Sequence, residues 1–374
     1  MVVVAERAGA PRAESLAAVV LAAGEGSRMK SERPKPLHRL CGKPMLMYVL
    51  DSLALCGADH AVVVVGHKGD WVTKSIGEQS PPVPVSFVEQ RVQRGTGDAA
   101  MIGLTGLGDE PEDGDVIILP GDAPLLRSDT IAALVEGHRS TGVAATVLTA
   151  VVDDPTGYGR IVRGRDGRVT RIVEQRDATP EELEIHEINT SIYVVKRSLL
   201  APALRRLSPN NAQGEYYLTD VVAVLARSGH PVDSVVAPTA VEAAGVNDRL
   251  QLAVAEAELR ARTNESLLRS GVTMLDPANT YVDTTVIVGR DVTLFPGTIL
   301  QGDTVIGDGC EIGPNAQLVD CAIGERTRVV ASTGRRAQVG SDADVGPYAH
   351  LAPGTEVPDG QVTGPFYTSV AADR

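Results

Sequence analysis

Cations are in deficit in this chain: lysine and arginine total 35 against 48 aspartates and glutamates, a formal charge of −13. That excludes the broad basic face of a nonspecific nucleic-acid binder. An acidic protein can still bind anions where its few cations converge on one pocket. Cysteine is scarce too, and Cys41, Cys56, Cys310 and Cys321 show no CxxC or Cys/His metal spacing. They predict no disulfide framework, suit a reducing cytoplasm, and read as small buried apolar residues. No apolar run approaches the length of a membrane span. Met1-Val2-Val3-Val4 is too short for a signal-peptide core and lacks the basic start. Residues 1–15 are therefore expected to be a disordered leader, and the protein to be cytoplasmic, engaging neither membrane nor nucleic acid. Aromatics make up only 3%, but a hydrophobic fraction of 43% over 374 residues leaves room for two domains and an ample core.

Two periodicities divide what is present. From about Leu16 to Val236, short apolar runs alternate with amphipathic segments. The spacing predicts buried strands at 61–65, 83–88 and 116–119, and helices at 45–55 and 130–138. That alternation implies an α/β domain with a mostly parallel sheet. In such sheets ligands sit beyond the carboxyl ends of the strands. The glycine-rich turn after Leu21 and the Gly121-Asp122 turn after Leu119 both fall on that edge. Residues 249–269 read as a connecting helix. After it, Val288, Leu294, Leu300, Ile306, Ile312 and Leu318 recur every six residues, with a shorter step to Ile323 and Val329. One aliphatic per six residues suits a parallel β-helix with three short faces per turn; a meander of strands is the alternative. The phase becomes ragged over 331–336 and returns at Val345 and Leu351.

The segment Leu21-Ala22-Ala23-Gly24-Glu25-Gly26-Ser27-Arg28-Met29, followed by Pro34-Lys35, ends an apolar run in two glycines and two fixed cations. A Rossmann fingerprint would carry a third glycine where Met29 stands, and a Walker loop would carry Gly-Lys-Ser/Thr. What is left is an open turn of backbone amides with Arg28 and Lys35 able to surround phosphates. A surface turn with solvated cations is the bland alternative.

This segment resembles the signature of sugar-1-phosphate nucleotidylyltransferases. The fuller resemblance is to the bacterial bifunctional N-acetylglucosamine-1-phosphate uridylyltransferase/glucosamine-1-phosphate acetyltransferase family. It extends through Gly121-Asp122-Ala123-Pro124-Leu125, Asp153-Asp154-Pro155-Thr156-Gly157-Tyr158-Gly159-Arg160-Ile161 and Ile172-Val173-Glu174. It continues through Glu187-Ile188-Asn189-Thr190, Asn210 to Asp220, and Gly245-Val246-Asn247-Asp248-Arg249-Leu250. The resemblance implies a Rossmann-like nucleotidyltransferase domain over 16–248, a linker helix over 249–270, and a hexapeptide-repeat left-handed β-helix over 271–374. It implies attack of a sugar-phosphate oxygen on the α-phosphorus of a nucleoside triphosphate, with release of pyrophosphate. Arg28 and Lys35 take the catalytic electrostatic role, and Leu21, Ala22, Ala23, Gly24, Gly26, Gln90, Gly95 and Thr96 the nucleotide. Gly159, Glu174 and Asn189 take the sugar, and Asp122 and Asn247 a Mg2+ ion.

The sequence also departs from that family. Gln93-Arg94-Gly95-Thr96-Gly97-Asp98-Ala99 stands where the family reads Gln-Leu-Gly-Thr-Gly-His-Ala, and its Arg-Gly-Thr-x-Asp-Ala form is more similar to bacterial ADP-glucose pyrophosphorylases. Pro120 precedes the metal-site Gly-Asp, and Ser191 replaces the glycine after Asn-Thr. Leu351-Ala352-Pro353-Gly354 has alanine where the family's phosphate-binding arginine stands. The family's β-helix continues further and carries the acetyl-transfer site. The expectation is therefore a UTP:N-acetylglucosamine-1-phosphate uridylyltransferase without acetyltransferase activity. Its shortened β-helix would serve as a scaffold or as the surface of a homo-oligomer, a trimer. The alternatives are a specialised-pathway enzyme using GTP or another triphosphate with a cyclitol-1-phosphate such as valienol-1-phosphate, and a noncatalytic scaffold subunit.

Overall fold

The computed structural model describes residues 15–108 and 114–369. The leader expected over 1–15 lies, except for Ser15, outside the described residues. The chain divides into two compact units, one formed by Met1–His38 with Met45–Arg249, the other by Arg39–Pro44 with Leu250–Arg374. Among the described residues no helix is long and apolar enough to cross a membrane.

The first unit is built on a nine-stranded sheet. Its strands are β1 (Leu16–Ala22), β2 (His60–Val65), β3 (Val85–Glu89), β4 (Asp115–Pro120), β5 (Ala145–Val151), β6 (Arg160–Arg163), β7 (Val169–Val173), β8 (Glu187–Lys196) and β9 (Val232–Val236). The order is β9-β5-β8-β4-β1-β2-β3, with β6 joining β8 and β7 joining β6. Strands β4, β1, β2 and β3 are mutually parallel, the Rossmann-like half of the sheet, while β8 runs antiparallel to β4 and β5. The predicted strands at 61–65, 83–88 and 116–119 fall on β2, β3 and β4, and the predicted helices on Met45–Leu55 and Ser128–Thr141.

Why these runs read as unbroken apolar stretches follows from burial on both faces. Along β1, Leu16, Ala18 and Val20 enter one core with Leu46, Leu50, Ile117 and Ile131. Ala17 and Val19 enter the opposite core with Ala100, Val116, Ile118 and Leu200. Each fully buried aliphatic contributes about 1.5–3 kcal/mol, so the central strands are rigid supports for the turns at their ends.

The second unit holds three parallel sheets of two- and three-residue strands, stacked so that each strand pairs with the equivalent one a turn later. The six-residue beat is the inward slot: Leu294, Leu300, Ile306, Ile312, Leu318 and Val329 are all essentially inaccessible. The ragged stretch proves continuous. Gly334 takes the inward slot between Leu318 and Leu351, where a β-carbon would come within 3.1 Å of Leu318 Cδ2 and 3.2 Å of Cys321 Sγ. Neighbouring bulk has filled the place of an aliphatic, so the sequence loses its beat while the coil keeps its path.

Two assignments differ from expectation. Residues 16–248 are not one continuous domain, because the hairpin of Arg39–Leu40 and Lys43–Pro44 clusters with the second unit. There the Cys41 amide donates to Glu256 Oε2 at 2.9 Å and the Thr284 amide donates to Cys41 O at 3.1 Å. The helix Arg249–Arg269, from Leu250 onward, also clusters with the β-helix rather than standing apart as a linker. Its Asn264 donates to the carbonyls of Pro277 and Thr280 at 2.8 and 3.0 Å.

Candidate active site

All the residues expected to bind nucleotide, sugar or metal lie in the first unit, and most of them along one edge of its sheet. The turn after β1 begins at Ala23. Gly26 sits at φ 65°, a left-handed backbone that opens the short helical turn Ser27–Met29. A β-carbon there would meet Lys35 Cβ at 2.8 Å, so glycine is required both for the turn and for the approach of the lysine. Gly24 differs, because a β-carbon on it would meet nothing within 4 Å.

Beyond β4, Gly121 donates its amide to Leu21 O at 2.9 Å, which pins the Gly-Asp turn beside the glycine turn. Asp122 then faces Asn247, whose loop is held by the Val246 amide donating to Asp122 O at 2.8 Å. The Lys35 ammonium bridges the two, donating to Asp122 Oδ2 and to Asn247 Oδ1 at 2.8 Å. Arg28 Nη2 reaches the same Asn247 oxygen at 3.0 Å. Arg28, Lys35, Asp122 and Asn247, distant in sequence, thus meet at one point.

A single ammonium nitrogen touching one carboxylate and one amide oxygen marks a spot where a hard divalent cation would find two oxygen donors. Among the described residues no cluster of three or more histidine, cysteine or acidic side chains could hold a metal alone. Two protein oxygens suit a cation that takes its remaining ligands from phosphates and water.

The antiparallel direction of β8 returns its beginning to this edge, since Tyr193 pairs with Ile118 and Lys196 with Asp115. Asn189 therefore arrives near the end of β4. Its amide donates to Gly159 O at 2.9 Å, and a β-carbon on Gly159 would stand 3.5 Å from Glu174 Oε2 and 3.6 Å from Asn189 Cβ. Gly159, Glu174 and Asn189 are brought together. Burial pushes the Glu174 carboxyl above its usual range, against the lowering effect of its bond from the Thr219 hydroxyl at 3.1 Å, with Asp177 and Asp220 adding to the rise. Asn189 is nearly inaccessible; it donates to the Tyr193 hydroxyl at 2.8 Å and accepts from the Ser191 amide at 3.1 Å. Ser191 lies at φ 63° within a bulge of β8, which is why glycine is at home there.

At the far end, Gln90 follows β3 and is 4% exposed. Its Nε2 donates to Asp98 Oδ2 at 2.9 Å and to Gly95 O at 3.2 Å. Thr96 Oγ1 accepts from the Leu218 amide at 3.0 Å. Gln93 donates to Ala23 O at 2.7 Å, tying this loop to the glycine turn.

Sequence reasoning passed over three supporting residues. Arg160 is 1% exposed and donates to Gln175 Oε1 at 2.8 Å and to Tyr158 O, while the same Gln175 oxygen accepts from the Gly157 amide at 3.2 Å. Together Arg160 and Gln175 order the loop that carries Gly159. Asp98 was noticed only as a departure from the family's histidine. For Asp98 a charged residue inside an otherwise matching motif was the available signal; Arg160 stood unremarked within a matching stretch, and Gln175 carried no signal.

Residues 18–263 match the MobA-like NTP transferase domain, and residues 285–319 match the bacterial transferase hexapeptide (six repeats). The stacked parallel coils of the second unit are therefore a hexapeptide-repeat left-handed β-helix. A bifunctional protein GlmU of Caldanaerobacter subterraneus subsp. tengcongensis is 46% identical over 340 residues, covering 91% of this chain and 72% of that protein. A bifunctional protein GlmU of a Geobacillus species is 43% identical over 349 residues, covering 93% and 74%. One of Corynebacterium efficiens is 46% identical over 345 residues, covering 92% and 71%. An open glycine turn beside two converging cations, on a domain matched across most of the chain's length, makes this chain a member of the GlmU family and a sugar-1-phosphate nucleotidylyltransferase.

Proposed function

We propose that the chain joins UTP to N-acetylglucosamine-1-phosphate, forming UDP-N-acetylglucosamine and pyrophosphate. The observation that carries this reading is the row of side chains along one sheet edge. Gln90 follows β3, the glycine turn follows β1, Asp122 follows β4, and Asn189 stands at the start of β8. From β3 to β4 is three strand spacings, about 14 Å. An extended nucleotide fits that row with its base at Gln90, Gly95 and Thr96 and its phosphates over Leu21, Ala22, Ala23, Gly24 and Gly26. The sugar phosphate then enters from the side of Gly159, Glu174 and Asn189.

The attacking phosphate oxygen is already ionised, so the reaction needs no general base. A bond forms from that oxygen to the α-phosphorus, and the bond from the α-phosphorus to the bridging oxygen breaks, so that pyrophosphate leaves with the electron pair. What limits the reaction is bringing anions into line and neutralising the transition state. Arg28 and Lys35 supply fixed positive charge there. Asp122 and Asn247 would hold Mg2+, which supplies further charge neutralisation at the phosphates.

Acetyl transfer is not part of this reading, because Ala352 offers a methyl group where the resemblance expects a phosphate-binding arginine. Four thiols free of disulfides, Cys41, Cys310 and Cys321 among them buried, suit the cytoplasm as the compartment. Membership of a nucleotidyltransferase family leaves the noncatalytic scaffold alternative without support.

The test is pyrophosphate release by the purified chain, with each of UTP, GTP, ATP, CTP and dTTP against N-acetylglucosamine-1-phosphate, glucose-1-phosphate, glucosamine-1-phosphate and a cyclitol-1-phosphate. UTP with N-acetylglucosamine-1-phosphate should lead. A lead for GTP with the cyclitol phosphate replaces this reading with the specialised-pathway alternative. Incubation with acetyl-CoA and glucosamine-1-phosphate should yield no acetylated product.

A further inference from the structure

We propose that Asp98 is a positioning residue for base selection, locking the Gln90 amide so that only its carbonyl oxygen is offered to the base. The inference rests on Gln90 reading the base, as proposed above, and adds what decides how it reads.

A glutamine side chain carries two donors on nitrogen and an acceptor on oxygen, and turning the amide over exchanges them. Left free, such a group can serve either hydrogen-bond pattern and discriminates little. Gln90 is not free. Its Nε2 faces two acceptors, Asp98 Oδ2 at 2.9 Å and Gly95 O at 3.2 Å, which together take both N–H bonds. The opposite orientation would set Oε1 against a carboxylate and a carbonyl at once, which charge repulsion forbids. The network thus fixes the flip on chemical grounds. Oε1 accepts from no protein donor among the described residues and is not among the buried unpaired atoms. The group left to meet a ligand is a hydrogen-bond acceptor.

Asp98 is itself held. Its other oxygen lies 3.5 Å from Arg94 Nε, and its side chain is only 15% exposed. It stands in the first turn of the helix Thr96–Thr105, where a carboxylate is favoured by the helix N-terminus. Arg94 and Asp98, the two departures from the family motif, thus form one chain ending on Gln90.

A fixed acceptor selects by one atom of the base. Uracil, thymine and guanine present a ring N–H beside a carbonyl, and that N–H can donate to Oε1. Cytosine and adenine present a bare ring nitrogen there, so two lone pairs would meet. The lock therefore admits the first class and rejects the second, and the size of the ring then separates the purine guanine from uracil and thymine.

The experiment compares kcat/KM for UTP, 3-methyl-UTP and CTP in the wild type, Asp98→Asn and Asp98→Ala. In the wild type, UTP should exceed both others by about a hundredfold, because a buried acceptor loses its donor in each case. In either variant only the Gly95 carbonyl opposes the flip, and the UTP-to-CTP ratio should fall by about tenfold or more, with UTP losing mainly in KM. A structural defect alone would lower both substrates together. A wild type that uses CTP as readily as UTP removes Gln90 from base reading altogether. A selective wild type whose ratio survives both substitutions overturns the role of Asp98 and leaves Gln90 in place. Should neither variant fold, hydrogen exchange of the assigned Gln90 side-chain amide in the wild type decides: protected protons support the lock, and exchange at the rate of a free amide overturns it.

Discussion

Asp122 and Arg28 meet the same Asn247 neighbourhood but would fail differently. Asp122→Asn removes the one carboxylate at the point where Lys35 Nζ and Asn247 Oδ1 converge. The loss should be several kcal/mol of charge stabilisation, about a thousandfold or more in kcat, with little change in melting temperature. Wild-type turnover of the variant at saturating magnesium would remove Asp122 from the site. Arg28 is exposed and reaches inward only through its guanidinium, so Arg28→Ala should lower kcat about a hundredfold while leaving base and sugar preference alone. A shift in preference at constant kcat would contradict its placement at the phosphates. Glu174 supplies a prediction in pH. Burial first, then Asp177 and Asp220, raise its folded pKa above the unfolded value of 4.5. The stability this carboxyl contributes is fully present below 4.5 and is lost as pH rises through the raised folded value. Glu174→Gln removes that loss and can still accept from Thr219, so the variant should be more stable than the wild type near neutrality. Melting curves from acid to neutral pH would check it, and a difference independent of pH would contradict it.

At the scale of elements, the site depends on how closely the turns approach one another. Gly66 follows β2, and a β-carbon on it would lie 2.3 Å from Ala23 O, a backbone atom that cannot step aside cheaply. Gly66→Ala should therefore cost roughly 1–3 kcal/mol in stability. It should also lower kcat by displacing the turn that begins at Ala23. Denaturant unfolding paired with turnover would measure both, and loss of stability with full activity would show that the turn is not held from this side. The helix Met45–Leu55 and the strands β2 and β4 were legible because their apolar spacing is strong and both sheet faces are buried. Strand β8 was not. Its Asn189-Thr190-Ser191 interruption is a bulge with a left-handed residue, and nothing in the local pattern says that the strand runs antiparallel between β4 and β5. The coil through Gly334 escaped for a related reason: the inward slot there is filled from neighbouring turns.

At the scale of the whole molecule, the β-helix bears on assembly. On its third sheet the outward positions begin with Ile287 and Val305, 63% and 41% exposed, in a row that later becomes Ala322, Gln338 and Glu356. A row of apolar side chains left in water is stabilised by burial against a second copy. The trimer expected from the family resemblance is checked by light scattering: a mass near three chains would support it, and a monomer at micromolar concentration would count against assembly through the coils. The sequence by itself determined the two periodicities, the glycine turn with its pair of cations, and the family-like motifs that named Asp122, Asn247, Gly159, Glu174 and Asn189. The periodicities and the glycine turn are local patterns, legible because the spacing of apolar residues and the demands of a phosphate-sized anion act over a few neighbours; the roles of those five residues came only from the family resemblance. Only the tertiary structure decided that Arg39–Pro44 belongs with the coils, that Lys35 bridges Asp122 and Asn247, and that Asp98 holds the Gln90 amide. Each of these is a contact whose partner is chosen by the fold: a charge or an amide is satisfied by whichever group folding brings within about 3 Å, and short-range sequence pattern carries no record of which group that will be.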